Sequence, residues 1–153
     1  MKTKTEVYDI SHEDLVNLFS TALYGSSYLG CNYHVDLDEN DNGAAIGFKE
    51  SDCFEDKIAK CLLAGKRVAM VDHYCEGSDE FYGSLEHRYD EESGCMLYML
   101  DLDTIKKGLE TMLNAGGWNA KYVMMLVNED YEFDLIAADA IMQNIMFGEE
   151  IYG

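Results

Sequence analysis

The sequence contains no proline, carries a single tryptophan, and sets only 11 basic residues against 30 acidic ones. Each shortage excludes something. The lack of proline weighs against proline-rich linkers and so against a multi-domain layout. The shortage of Lys and Arg argues against holding nucleic acid, because phosphate binding needs clustered cations. It argues equally against an anionic membrane surface. No apolar run approaches the length of a membrane span. No signal-peptide apolar region follows Lys2 and Lys4, because Glu6, Asp9, Glu13 and Asp14 interrupt it. The five cysteines, Cys31, Cys53, Cys61, Cys75 and Cys95, are scattered, odd in number and never in C-x-x-C spacing. That usage points to reduced thiols and a cytoplasmic protein rather than a disulfide framework.

What is present fits one domain. A chain of 153 residues with 48% hydrophobic content can bury a real core. The net charge of −19 permits a partner with a basic surface and would speed the encounter. The alternative is that the charge serves solubility alone.

The most apolar stretch is residues 134–148. Ten of the thirteen residues from Leu135 to Phe147 are apolar, and the exceptions, Asp139, Gln143 and Asn144, fall on one narrow helical stripe. So thin a polar face predicts a helix mostly surrounded by protein, its stripe forming a wet edge or lining a polar cleft. Asp134 is a natural N-cap, and Gly148 sits where a left-handed C-terminal residue is wanted.

Elsewhere the elements follow in order. A short edge strand is expected over residues 2–10. Ser11 and Asp14 form an S-x-x-D capping box, and Ile10 and Leu15 a hydrophobic staple, so a helix starts there. Leu15, Leu18, Phe19 and Ala22 give it an apolar face, and Gly25 ends it. Tyr33, Val35 and Leu37 alternate with His34, Asp36 and Asp38 as in a half-buried strand. Asn42-Gly43 is a hairpin signal that returns the chain through residues 44–48. A second helix is expected over residues 52–64, with Phe54, Ile58, Cys61 and Leu62 on one face and Gly65 closing it. Residues 68–71 read as a buried strand. Residues 76–92 read as a long loop or irregular hairpin, and residues 95–102 as a strand. Asp103 caps a helix with Ile105, Leu109, Met112 and Leu113 inward, ended by Gly116-Gly117. Residues 118–127 have no clear period, and a helix is favoured. No internal repeat is present.

Motifs for chemistry are weak. Asp38-x-Asn40-x-Asn42-Gly43 matches the first half of a calcium loop, but position twelve is Lys49 and the flanks read as strands, so an acidic hairpin is preferred. His73, Cys75, His87 and Cys95 match no standard zinc spacing. A Cys–His nucleophile at Cys75 and His73 lacks an identifiable oxyanion hole or orienting group. No G-x-S-x-G elbow, P-loop or dinucleotide fingerprint occurs. No cofactor, metal or catalytic residue is expected.

Residues 76–92 hold seven acidic residues and one Arg, with Phe81, Tyr82 and Tyr89 among them. Carboxylates interleaved with aromatics suit a basic protein surface, the rings acting as anchors and the acids supplying complementarity. Spaced carboxylates also imitate the phosphate row of DNA. The expected surface is Asp79, Glu80, Phe81, Tyr82, Glu86, Asp90, Glu91 and Glu92, with Asp36, Asp38 and Asp41 as a second acidic patch. The alternative is a solvated loop whose rings pack back on the sheet.

Three places carry a resemblance. They are Asp14-Leu15 through Ala22-Leu23-Tyr24-Gly25 with Tyr28 and Cys31; Leu100-Asp101-Leu102-Asp103 with Lys107-Gly108; and Asp134, Ala138-Asp139-Ala140-Ile141, Gln143, Phe147-Gly148-Glu149 and Tyr152-Gly153. On these the chain resembles a family of uncharacterised small acidic proteins encoded by phages and mobile elements of gut Firmicutes. It departs by an extra acidic stretch around residues 76–93. The resemblance implies a phage-like origin and transfers no catalytic residue. Small acidic phage proteins include anti-CRISPR and antirestriction inhibitors, a fold-independent analogy.

The expectation is therefore one α+β domain, a small, mostly antiparallel sheet packed against four to five helices with the C-terminal helix central. The expected function is a non-enzymatic inhibitor of a host nucleic-acid-processing defence enzyme, acting in the bacterial cytoplasm. The alternatives are a self-associating accessory protein and a small Cys/His enzyme.

Overall fold

The computed structural model describes residues 9–24, 33–37, 46–73, 85–128 and 132–150. These form five helices and four strands: α1 (His12–Leu23), β1 (Tyr33–Asp36), α2 (Phe54–Leu63), β2 (Val68–Asp72), β3 (His87–Asp90), β4 (Cys95–Leu100), α3 (Leu102–Ala115), α4 (Gly117–Val127) and α5 (Leu135–Phe147). The strands make one antiparallel sheet in the order β1-β2-β4-β3. This is the expected α+β class.

Local chemistry explains most boundaries. The Ser11 hydroxyl accepts from the Asp14 amide at 3.0 Å, and the Asp14 carboxylate accepts from the Ser11 amide at 3.2 Å. Two otherwise orphaned donors are thus satisfied reciprocally. Ile10 and Leu15 are both buried beside this cap. Helix α2 closes on Gly65 (φ 80°), whose amide reaches the Leu62 carbonyl while the Lys66 amide reaches that of Cys61. That pair of bonds is the Schellman closure.

One strand pairing and one helix cap differ from expectation. Residues 46–48 are not a strand returning from β1, and residues 44–45 lie outside the described residues. Strand β1 pairs with β2, with Tyr33 opposite Asp72 and Val35 opposite Met70. The hairpin signal is local, and Asn42-Gly43 lies outside the described residues. The apolar run Val68–Asp72 needs a partner on each edge, which β1 and β4 supply. Ile46 and Phe48 instead pack, half-buried, against the core. The cap of α3 is Asp101, not Asp103. Its carboxylate accepts from the Thr104 amide at 2.8 Å, and the Thr104 hydroxyl accepts from the Asp101 amide at 3.0 Å. The reciprocal partner three residues on selects Asp101, while Asp103 lies in the first turn, where the helix dipole favours its charge.

One sheet face supplies Val35, Val68, Met70, Met96, Tyr98 and Leu100 to the core. The opposite face carries Ala69, Val71, Leu97 and Met99, flanked by His34 and Asp36 on β1 and by Arg88 and Asp90 on β3, as strand alternation and register require. Helix α5 is central. Its residues from Ala137 through Phe147 are all buried, and Phe147 meets Tyr98 edge-on at 6.0 Å. Asp134 accepts from the Ala137 amide at 3.0 Å, and Gly148 takes the left-handed conformation.

The polar stripe of α5 is not a wet edge. Asp139 is 9%, Gln143 0% and Asn144 5% exposed. Gln143 donates to the Asp139 carboxylate at 2.7 Å, and Asn144 donates to the Ala140 carbonyl at 2.8 Å. Polar groups four apart on one helix satisfy each other, which is what permits their burial.

Candidate functional site

The expected acidic surface is divided by the sheet. Asp36 is exposed on edge strand β1. Glu86, Asp90, Glu91 and Glu92 lie at or beside the opposite edge, β3. Three inter-strand spacings, ~14 Å, separate the two edges. Asp38, Asp41, Asp79, Glu80, Phe81 and Tyr82 lie outside the described residues.

The acids beside β3 are not equivalent. Glu86 is paired with Arg67. Asp90 is engaged in the β3–β4 turn, accepting from the Ser93 hydroxyl at 2.7 Å and from the Glu92 amide at 3.3 Å. The Ser93 bond leads the causes that hold its carboxyl below the usual range. Gly94 (φ 71°) closes the turn by donating to the Asp90 carbonyl. Glu91 and Glu92 lie exposed on this turn, and Tyr89 on β3 is 40% exposed. The turn therefore presents two carboxylates next to one accessible ring.

The Cys75–His73 pair is only half described. Cys75 lies outside the described residues. His73 meets His34 instead, ring nitrogen to ring nitrogen, with centroids 4.4 Å apart. Burial, then the neighbouring imidazole, pushes the His34 value down, with Asp36 opposing. His87 contacts the Leu85 carbonyl through Nδ1 at 3.1 Å. No group of three or more His, Cys, Asp or Glu among the described residues is placed to hold a metal ion.

A second polar cluster was not anticipated. It lies where the start of α2 meets α1. The Cys53 thiol donates to Asp56 at 3.0 Å, and His12 contacts the other Asp56 oxygen at 2.9 Å. The thiol bond, followed by that of His12, holds the Asp56 carboxyl down at about 2. Glu55 and then Asp56 push the Cys53 thiol up, the opposite of what a nucleophile needs. Burial, then Glu55, raises Tyr24 to about 12. The sequence signal was Cys53-x-x-Asp56, a capping box with cysteine in the serine position. The cluster caps and pins a helix and does not activate a thiol.

Between α3 and α5 runs an open groove of about 180 Å³ lined by Thr104, Lys107, Thr111, Asn144 and Ile145. Gly108 forms its floor because a Cβ there would lie 2.6 Å from Ile145 Cγ1 and 2.9 Å from its Cα. The hydroxyls of Thr104 and Thr111 bond to backbone within α3. The groove is thus a by-product of close helix packing.

The surface of α4 differs in kind. Trp118 is 63% and Met124 43% exposed, while Val123 and Leu126 are buried on the other side. Lys121 Nζ lies 4.4 Å from the Trp118 ring centroid, and Tyr122 flanks that ring at 5.9 Å. Ile136, in the first turn of α5, is 64% exposed. From Gly117 to Val127 there is no carboxylate. The sequence left this segment ambiguous because apolar residues point both ways.

No family model, curated protein or solved structure matches this chain. No helix among the described residues is long and apolar enough to cross a membrane.

Proposed function

We propose that this protein is a non-catalytic, protein-binding inhibitor that occupies a basic surface of a nucleic-acid-processing enzyme. It acts in the manner of antirestriction or anti-CRISPR proteins in a bacterial cytoplasm. The observation that carries the reading is the β3–β4 turn. Glu91 and Glu92 stand free of ion pairs among the described residues, beside the accessible ring of Tyr89, in a chain of net charge −19. Free carboxylates attract and orient a cationic surface, and an aromatic ring provides a contact that can be desolvated. Asp90 and Glu86 are already engaged within the molecule and hold the turn and the start of β3 in place. Asp36 on the far edge serves a separate contact, if the partner's surface is broad enough to span the sheet.

The test is affinity capture from bacterial lysate with immobilised protein, read by mass spectrometry. The expected result is a nuclease or other nucleic-acid enzyme, retained at low salt and released by high salt or competing duplex DNA. Glu91→Lys with Glu92→Lys should weaken its retention roughly 10-fold at low salt. Undiminished retention of the same enzyme by the reversed variant would refute this surface.

A further inference from the structure

We infer that His34 and His73 form a two-imidazole site for a late first-row divalent metal ion such as Zn²⁺, at the β1 edge of the sheet. The strand register brings the two side chains together. Tyr33 lies opposite Asp72 and His34 opposite Val71, so His73 stands one step past the last pair, diagonal to His34 and on the same face. His34 Nδ1 meets His73 Nε2, with the ring centroids 4.4 Å apart and the planes inclined by 29°. Both residues are exposed, so an ion can reach them from solvent.

A neutral imidazole carries one N–H and one lone pair. Two ring nitrogens that face each other therefore need something positive between them. That is either a proton held by one or a metal ion bound by both. Imidazole nitrogen is a preferred ligand of zinc, copper and nickel. The surroundings also favour a cation. Asp36 is exposed two residues along β1 on the same face. Neither β1 nor β2 contains a Lys or Arg, and the whole chain carries −19.

Two nitrogens at a Zn–N length of roughly 2.0 Å stand on the order of 3.3 Å apart on a tetrahedral ion. The facing nitrogens are closer than that, and rotation of two exposed rings opens the gap without moving the paired strands. Among the described residues no third His, Cys, Asp or Glu is placed to join them. Asp36 contributes charge, and water fills the remaining positions. The site is thus an exchangeable one, unlike a structural centre closed by four protein ligands. It lies at the opposite edge of the sheet from the β3–β4 turn and does not rest on the acidic-turn reading.

The probe is Zn²⁺ alone, titrated into the reduced full chain and followed by the imidazole resonances in NMR. The chain has four histidines. His12 lies against Asp56 and His87 against the Leu85 carbonyl, so both serve as internal controls. The expected result is that zinc shifts His34 and His73 together and leaves His12 and His87 in place. His34→Ala and His73→Ala should each weaken zinc binding at the remaining histidine at least ~10-fold, a loss that even an outer-shell partner of a metal can cause. Circular dichroism should stay unchanged in both variants, because both positions are exposed. Zinc that moves neither resonance overturns the proposal. So does zinc that binds the remaining histidine with undiminished affinity in either variant.

Discussion

Helix α4 and the β3–β4 turn are both exposed, and they solve opposite problems. The turn shows water carboxylates that hydrate well: Glu91 and Glu92 are exposed, and Asp90 is spent on holding the backbone. The helix shows water Trp118 and Met124, which hydrate poorly, and contributes no acid at all. In a chain with 30 acidic residues the second surface is the anomaly. The comparison teaches that high net charge does not by itself locate a binding surface. Acids free of internal bonds and apolar side chains free of burial are the informative exceptions on a surface where most groups are already engaged.

The largest way to disturb this comparison is through the support of α4. Helices α3, α4 and α5 pack on one another, and Gly108 lets α3 approach the backbone of Ile145. Gly108→Val should destabilise the fold by about 3 kcal/mol, because Cα of Ile145 cannot rotate away as a side-chain tip can. Gly108→Ala should cost less, since its gain in helix propensity offsets ~1 kcal/mol of the clash. Urea denaturation of the two variants checks both the size and the order. An unchanged midpoint for the valine variant would mean that the helices are not in this contact.

Next in size is the turn itself. Reversing Glu91 and Glu92 to Lys should weaken capture of a basic partner roughly 10-fold, or about 1.4 kcal/mol, at low salt. Folding stability should stay within ~0.5 kcal/mol, because neither side chain makes a contact that holds the fold. Thermal melts alongside a binding titration separate the two effects. Comparable losses in both would make the acids structural and erase the distinction from Asp90. Smaller again is the cap of the central helix. Asp134→Ala removes the acceptor for the Ala137 amide and should cost ~1 kcal/mol. A loss well outside that range in urea denaturation would show that the start of α5 is held by something else.

These energies also explain how much the sequence could tell. Capping boxes at Ser11 and the cap at Asp134 were readable because they are local: donor, acceptor and spacing all lie within four residues. The burial of Leu15, Leu18 and Phe19 was readable from period alone. The pairing of β1 with β2 was not, because it joins residues more than thirty apart and competes with a strong local turn signal. The burial of Gln143 was misread because a sequence does not reveal that Asp139 will accept its amide proton. Helix α4 is the most instructive case. Its period is blurred because Trp118 and Met124 face outward while Val123 and Leu126 face inward. The property that hid the helix is the one that leaves Trp118 and Met124 on the surface. The candidate acidic site was legible as composition, but not which acids are engaged, since the Glu86–Arg67 pair and the Asp90 turn bonds depend on three-dimensional placement.

The smallest expected effect concerns acid. The folded value of Asp56 is about 2, below the ordinary 3.8, chiefly through the Cys53 thiol and then His12. A depressed carboxylate contributes stability above its unfolded value and loses it as pH falls through the folded one. Its contribution should therefore be complete above 3.8 and fade toward about 2. Asp56→Asn should flatten that part of the stability profile and lower stability at neutral pH, where the carboxylate's contribution is complete, the two proteins converging as pH falls toward about 2. Parallel acid profiles for both proteins would mean that the Cys53–Asp56–His12 contact is not formed in solution. Neither α4 nor the β3–β4 turn should respond to this change, which makes it a control on both.

The claim that two surfaces of opposite electrostatic character share one small domain is tested most directly by salt. Retention of the nucleic-acid enzyme should be measured at about 50 mM and about 500 mM NaCl, where screening differs several-fold in range. The account predicts that retention falls at the higher salt for the native chain and for Met124→Glu alike, because the contact is made by Glu91 and Glu92 and not by α4. Retention that persists at the higher salt would contradict it, because the partner would then be held by an apolar surface.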